Sequence, residues 1–247
     1  MFEPAAGLIG PTTPGMPTAR WVASGRPGGV STSPYSSLNL ADYVGDDEGS
    51  VRENRQRLAA RVDLTLADVA IMGAVHGSEV AIVTQGGFMP GVDALVTRSR
   101  GVGLLALAAD CVPLVLADVD AGVVAAAHCG WRGLASGVVA ATVATMRSAG
   151  ASRIQAVVGP SICARCYPVP AERAALIGEQ VSDPVRLASC LVHDGITFVD
   201  VGAGVLAQLA ELGAQATVIP GCTAESSELF SYRRDQVTGR QGMVIVQ

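Results

Sequence analysis

With 247 residues, 49% of them apolar and 16% charged, the chain carries enough hydrophobic material for a sizeable core, which excludes disorder as its main state and fits one large α/β or α+β unit. Its 17 basic side chains, set against 22 acidic ones for a formal net charge of -5, are all arginine, so no ε-amine exists for a Schiff base, a pyridoxal-phosphate anchor or a P-loop. The acidic balance and the lack of a dense basic run argue against a nucleic-acid polymer as partner.

Residues 1–20 are rich in Pro, Gly and Thr and have neither a cationic start nor a long apolar run; a flexible leader, not a signal peptide, is expected there, followed by a single catalytic domain over 21–247. Residues 21–37, broken by Gly25, Pro27, Gly28, Gly29 and Pro34, read as short extended pieces joined by turns. Asp46, Asp47 and Glu48 stand just before Val51, Leu58 and Val62, which predicts a helix over about 49–61 with negative charge at its N-terminus. Short aliphatic runs then predict strands at 69–72, 80–84, 94–97, 103–108, 113–117 and 122–127. Residues 104–108 are apolar without alternation, so both faces of their sheet are expected to be covered. An Ala/Val-rich helix is predicted over 133–146, ending at Arg147 and Gly150. The remaining pattern gives a strand at 154–158, a helix at 171–180, a strand at 197–199, a helix at 203–212 and strands at 216–219 and 243–246. The sum is one α/β-type body with mixed sheets. No run approaches the ~18 apolar residues of a membrane span. The six cysteines of a chain without a secretion signal read as thiols or metal ligands, and a cytoplasmic location is expected.

Three metal-capable side chains punctuate these apolar runs: His76 in Ala-Val-His-Gly, Cys111 in Ala-Ala-Asp-Cys-Val-Pro, and His128 in Ala-Ala-His-Cys-Gly-Trp-Arg-Gly. Two imidazoles and one thiolate suit Zn²⁺, and three protein ligands leave a fourth position for water or substrate. Taken singly, each reads as readily as an ordinary hydrogen-bonded or buried residue.

The segments around these residues, together with Gly159-Pro160-Ser161-Ile162, Cys166-Tyr167, Ser231-Tyr232-Arg233-Arg234-Asp235 and Thr238-Gly239-Arg240-Gln241, resemble the laccase-domain family, also described as polyphenol oxidases, peptidoglycan editing factors and purine nucleoside phosphorylases. Gly29-Val30-Ser31, Ser37-Leu38-Asn39-Leu40, Val44-Gly45-Asp46-Asp47 and Glu53-Asn54-Arg55 are similar to its N-terminal signature, so the resemblance runs in order from about residue 26 to the C-terminus. It implies an α+β fold, a four-layer α/β/β/α sandwich with mixed β-sheets resembling cysteine-hydrolase-like folds. It further implies a zinc site at His76, Cys111 and His128, phosphorolysis of adenosine, inosine, guanosine or methylthioadenosine, and deamination of adenosine. Two positions depart from the family pattern: Ala74 stands where a Gln is common, and Cys129 where a small residue follows the second His, adding a thiol near the metal.

Zinc chemistry would supply a water nucleophile near neutral pH for deamination. Asp110 is the candidate proton carrier, although strand alternation would point it away from the ligand face, and a structural hydrogen bond at a strand end explains it at least as well. Phosphorolysis needs an anion cradle which, without lysine, falls to Arg132, Arg233, Arg234 and Arg240, with Arg132, beside His128, favoured. Asn39, Asn54 and Arg55 are expected to order a loop over the pocket, with Asn39 and Arg55 at the substrate, although turn and cap roles explain them equally. Cys163-Ala-Arg-Cys166 reads as a pair of reduced thiols, and Cys222 as packing near the site. Only three histidines, one of them His193 outside any motif, are too few for a multinuclear copper cluster, although the same three ligands accept a single Cu²⁺. Two further readings stay open: a metal-free dyad with Cys111 as nucleophile and His128 as base, and a non-enzymatic cell-wall editing factor. The expected partners are a purine nucleoside and phosphate, in a monomer or small homodimer without a membrane.

Overall fold

The computed structural model describes Leu8–Ile9 and residues 19–247. The first half of the chain forms β1 (Leu8–Ile9), β2 (Arg20–Ser24), α1 (Glu48–Ala60), β3 (Val69–Gly73), β4 (Val80–Ile82), β5 (Gly87–Pro90), β6 (Ala94–Thr97), β7 (Gly103–Ala108), β8 (Val112–Asp118) and β9 (Val123–Cys129). The second half adds α2 (Trp131–Ser136), α3 (Val138–Ser148), β10 (Gln155–Val158), α4 (Ala171–Gly178), α5 (Asp183–Ser189), β11 (Cys190–His193), β12 (Ile196–Val199), α6 (Val201–Glu211), β13 (Gln215–Val218), α7 (Tyr232–Asp235) and β14 (Gln241–Val246).

Two mixed six-stranded sheets carry the fold, in the orders β1-β2-β14-β7-β3-β5 and β13-β10-β8-β9-β6-β4, with a separate β11-β12 hairpin. Side-chain alternation sorts each strand between two layers. In β8, Val115 and Ala117 point into the space between the sheets, where they meet Leu104 and Ala106 of β7 and Met243 and Ile245 of β14. Leu114 and Leu116 of the same strand pack outward against Leu134, Val138, Val143, Val205 and Leu209 of the helices. The outer face of the first sheet, Leu105, Leu107, Val244 and Val246, is covered by Leu58, Ala59 and Val62 around α1 and by Leu38 and Leu40. The layers are therefore helix, sheet, sheet, helices, and the apolar runs without alternation are explained by cover on both faces. Among the described residues, no helix is long and apolar enough to cross a membrane.

Several expectations shift. Of the leader expected over 1–20, Leu8–Ile9 pairs antiparallel with Ala23 and Ser24, Ala19 is buried, and Arg20 already belongs to β2; the rest lies outside the described residues. The helix expected over 133–146 is two helices, because Gly137 takes the left-handed conformation (φ 83°) and ends α2, which a residue with a Cβ does only under strain. The elements α5 and β11 were not anticipated. Ser182 caps α5 by accepting a hydrogen bond from the Val185 amide, and Asp194-Gly195, with φ of 50° and 74°, turns β11 into β12.

Candidate metal centre and its cavity

His128 belongs to β9 in step with Val124 and Ala126, so alternation aims it between the sheets at the end of the strand, whereas Cys129 joins the helix-side core with Leu134 and Val138. The thiol beside the second histidine is thus on the opposite face, buried, and its ionisation is pushed well up by burial. Cys111 sits where the chain passes from β7 in one sheet to β8 in the other, and His76 lies in the loop that follows β3. Their ligand atoms and that of His128 all lie within 4.8 Å of one another, and the two imidazole rings meet edge to face with centroids 4.8 Å apart.

One buried carboxylate holds this group in place. Asp93, at the head of β6, accepts hydrogen bonds at Oδ1 from the His76 amide (2.9 Å) and at Oδ2 from the amides of Val75 (3.1 Å) and Gly77 (2.7 Å). His76 has φ 64°, so three amides converging on one carboxylate stabilise a backbone conformation that a histidine rarely adopts. Asp93 Oδ1 also lies 2.9 Å from His128 Nδ1, which orients the ring and leaves Nε2 for the cavity, the arrangement in which a carboxylate sets the tautomer of a metal-ligating histidine. Burial opposes ionisation of Asp93, but His128 and the loop amides outweigh it and hold the carboxyl below its usual range. Asp93 carries no sequence motif; it reads as the polar residue before an apolar run.

The electrostatics favour a thiolate at Cys111. Burial pushes the thiol up, but the charge and hydrogen bond of His128 and then those of His76 bring it down to about 6. His128 moves the other way: burial disfavours its charge, yet Cys111 and Asp93 raise it to about 9. Gly130 supplies the fit test for a cation. A Cβ built on it would stand 2.9 Å from His76 Cδ2 and 3.0 Å from Cys111 Sγ, so the cradle beside both ligands stays open only because residue 130 has no side chain. A soft thiolate, two imidazoles, a supporting carboxylate and this clearance fit Zn²⁺.

The three side chains open into a cavity of about 580 Å³, within the size range of small-molecule sites. Trp131, Tyr43, Tyr167 and Tyr232 line it together with Arg233 and Arg240. Arg233 lies 4.7 Å from the centre of the Tyr167 ring. Arg240 gives Nη1 to the carbonyls of Thr238 and Gly239 and stands 5.9 Å from the rings of both Tyr43 and Tyr232.

The other expected residues are placed differently. Asp110 (φ 85°) lines the cavity, but Oδ1 accepts from the hydroxyls of Thr223 (2.6 Å) and Ser231 (2.7 Å) and Oδ2 from the Arg233 amide (2.6 Å), so its carboxylate ties three segments together. Arg234 does not line the cavity: its guanidinium is spent on Asp235 and on the carbonyls of Thr223, Ser226 and Leu229. Arg132 is exposed and lies 5.2 Å from the Trp131 ring centre, outside the lining. Asn39 is buried, with its amide group bonded to Ala41, Asp46 and the Arg240 amide, so it shapes the loop and is not part of the cavity lining. Arg55 pairs with the Leu40 carbonyl and Asp42, also off the cavity. Nearby, buried Asn54 binds Val30, Ser31, Ser37 and Asn39. His193 is exposed on the hairpin, 3.3 Å from Asp194. The aromatic lining is what sequence reasoning missed, because tyrosines scattered at 43, 167 and 232 converge only in three dimensions.

Comparison with known proteins matches residues 20–247 to a family described as multi-copper polyphenol oxidoreductase laccase. The chain is 46% identical over 236 residues to purine nucleoside phosphorylase ORF3 of Streptomyces griseus, covering 93% of this chain and 94% of that protein. It is 36% identical over 224 residues to adenosine deaminase RL5 of an unknown prokaryotic organism, covering 81% and 82%. In three dimensions it is similar to the crystal structure of the hypothetical protein YfiH of Bacillus licheniformis, with a TM-score of 0.91, 26% identity, and 98% and 97% of the two chains covered.

Proposed function

The chain belongs to the multi-copper polyphenol oxidoreductase laccase family, and on that premise we propose that it is a zinc-dependent purine nucleoside enzyme. The proposed reactions are phosphorolysis of adenosine, inosine, guanosine or methylthioadenosine, and deamination of adenosine. The observation that carries this reading is the opening of His76, Cys111 and His128 into a cavity whose walls combine four aromatic rings with two guanidinium groups. The names of the Streptomyces and RL5 relatives support the two activities.

His76, Cys111 and His128 would hold the cation, which when bound supplies Lewis-acid chemistry at the cavity floor. Asp93 fixes the His128 tautomer and the His76 backbone, so both ligands are oriented before substrate arrives. The faces of Tyr43, Tyr167, Tyr232 and Trp131 offer a purine ring the stacking surface it prefers. Arg233 and Arg240 bind phosphate, and their charge favours the anion as it displaces the base from the ribose carbon. Asp110 acts as a positioning residue, holding the Arg233 backbone and, through Thr223 and Ser231, the neighbouring turns. A multinuclear copper oxidase draws no support from this chain, since its third histidine, His193, stands on an exposed hairpin.

The test is a nucleoside panel with and without phosphate, reading free base, ribose-1-phosphate and ammonia before and after exhaustive chelation. Phosphate-dependent release of base that stops on chelation and returns with Zn²⁺ is expected. Absence of all three products would overturn the nucleoside reading, and full activity after chelation would transfer the chemistry to a Cys111–His128 dyad.

A further inference from the structure

A second cluster of ligand-type side chains lies beside the cavity and takes no part in the mechanism above. Cys163 caps and Cys166 ends the short helical turn Ala164–Cys166, and Cys222 and Glu225 lie in the turn that follows β13. One ligand atom from each of the four lies within 4.8 Å of all the others. We propose that Cys163, Cys166, Cys222 and Glu225 form a second metal site, for a thiophilic divalent cation of the zinc type, that clamps the 161–168 segment to the 222–225 turn.

The sequence geometry is that of two facing knuckles. Cys163-Ala-Arg-Cys166 and Cys222-Thr-Ala-Glu225 each place two donors across a two-residue gap, and paired knuckles of this spacing are a common way to build a closed tetrahedral site. The dimensions agree. With Zn–S of ~2.3 Å and Zn–O of ~2.0 Å, a tetrahedron sets sulfur and oxygen roughly 3.5 Å apart. Glu225 Oε1 stands 3.8 Å from Cys163 Sγ and 3.5 Å from Cys166 Sγ.

The two turns are fixed to each other before any ion arrives. Ser161 and Cys222 form a parallel bridge, and the Thr223 amide donates to the Ser161 carbonyl at 3.1 Å. The Cys163 amide donates to Cys222 Sγ at 3.3 Å, the N–H to sulfur contact that favours a thiolate. Three thiolates and a carboxylate around a divalent ion leave the group net anionic, and the Arg165 guanidinium, 3.2 Å from Glu225 Oε1, offsets part of that charge. All four residues are only partly buried or exposed, so an ion has a route in, and all six cysteines are free thiols.

Location gives the clamp a consequence. Ile162 and Tyr167 line the cavity from the segment bearing Cys163 and Cys166, and Thr223, next to Cys222, donates to Asp110. A cation here would stiffen that wall without touching substrate.

The test uses the full chain with the first site disabled, His76→Ala/Cys111→Ser, purified under reducing, anaerobic conditions and titrated with Co²⁺ and then Zn²⁺. One equivalent of Co²⁺ is expected, with intense sulfur-to-cobalt charge-transfer absorption and a tetrahedral ligand-field spectrum, both lost as Zn²⁺ displaces it. Adding Cys163→Ser should weaken binding by at least roughly tenfold, and Glu225→Gln should weaken it while keeping the charge-transfer bands. Should the disabled chain fold poorly, zinc content of the otherwise unaltered protein answers the same question, with two equivalents expected and one after Cys163→Ser. Absence of bound Co²⁺, a spectrum indifferent to Cys163→Ser, or a disulfide among these cysteines in the anaerobic protein would overturn the second site. Each of these readouts is independent of nucleoside turnover.

Discussion

The two sides of the cavity are each organised by one aspartate, and the two do different work. Asp93 receives the loop amides of Val75, His76 and Gly77 and the ring of His128, so everything it fixes is a candidate ligand or the loop that carries one. Asp110 receives two hydroxyls and the Arg233 amide, so everything it fixes belongs to the wall that would recognise substrate. The floor comes from the end of β9, the crossing between β7 and β8 and the loop after β3; the wall is built from turns and the first residues of helices. On the proposed function, chemistry and recognition would thereby fall into two frames that can be perturbed one at a time.

Asp93→Asn should have the largest effect. One acceptor oxygen becomes an NH₂ group facing amide donors or the His128 ring, and metal affinity and turnover should both fall by roughly 10–100-fold. Metal content and kcat measured on one preparation check this; an unchanged zinc affinity would break the contrast. Asp110→Asn should act less and elsewhere. A new NH₂ would face either the Arg233 amide or the two hydroxyls, raising the KM for phosphate by roughly tenfold while zinc content stays whole. If that variant instead loses metal, the two frames are one. The smallest effect concerns acidity in the chelated protein. A thiol lowered by folding adds stability in full above its unfolded value and loses it as pH falls through about 6, whereas raised His128 adds stability in full below its unfolded value and loses it as pH rises through about 9. The thiolate–imidazolium pair therefore occupies the window between, and alkylation of Cys111, followed by peptide mass spectrometry, should stay fast at pH 7 and slow only near pH 6.

The layered fold was legible because strands such as 103–108 are apolar on both sides, which only buried sheets require. His76, Cys111 and His128 were legible because each interrupts such a run. Asp93 was not: an acid before a strand is commonplace, and only the folded loop brings three amides to it. Which of the arginines line the cavity was hidden for a related reason. Neighbourhood in sequence favoured Arg132, but the first turn of α2 carries it out of the cavity lining, whereas Arg240 reaches the cavity beside Tyr43, nearly 200 residues earlier in the chain. The second cluster was half visible as Cys163-Ala-Arg-Cys166; its other half ends in a glutamate, which a search for paired cysteines passes over.

His76 follows a strand of one sheet, His128 ends a strand of the other, and Cys111 stands on the crossing between them. An ion bridging these three residues would work as a rivet through both halves of the sandwich, where strand ends of the two sheets meet the cavity. Filling and emptying the site would then be a mechanical event as well as a chemical one, tightening or freeing the seam along which the two sheets meet.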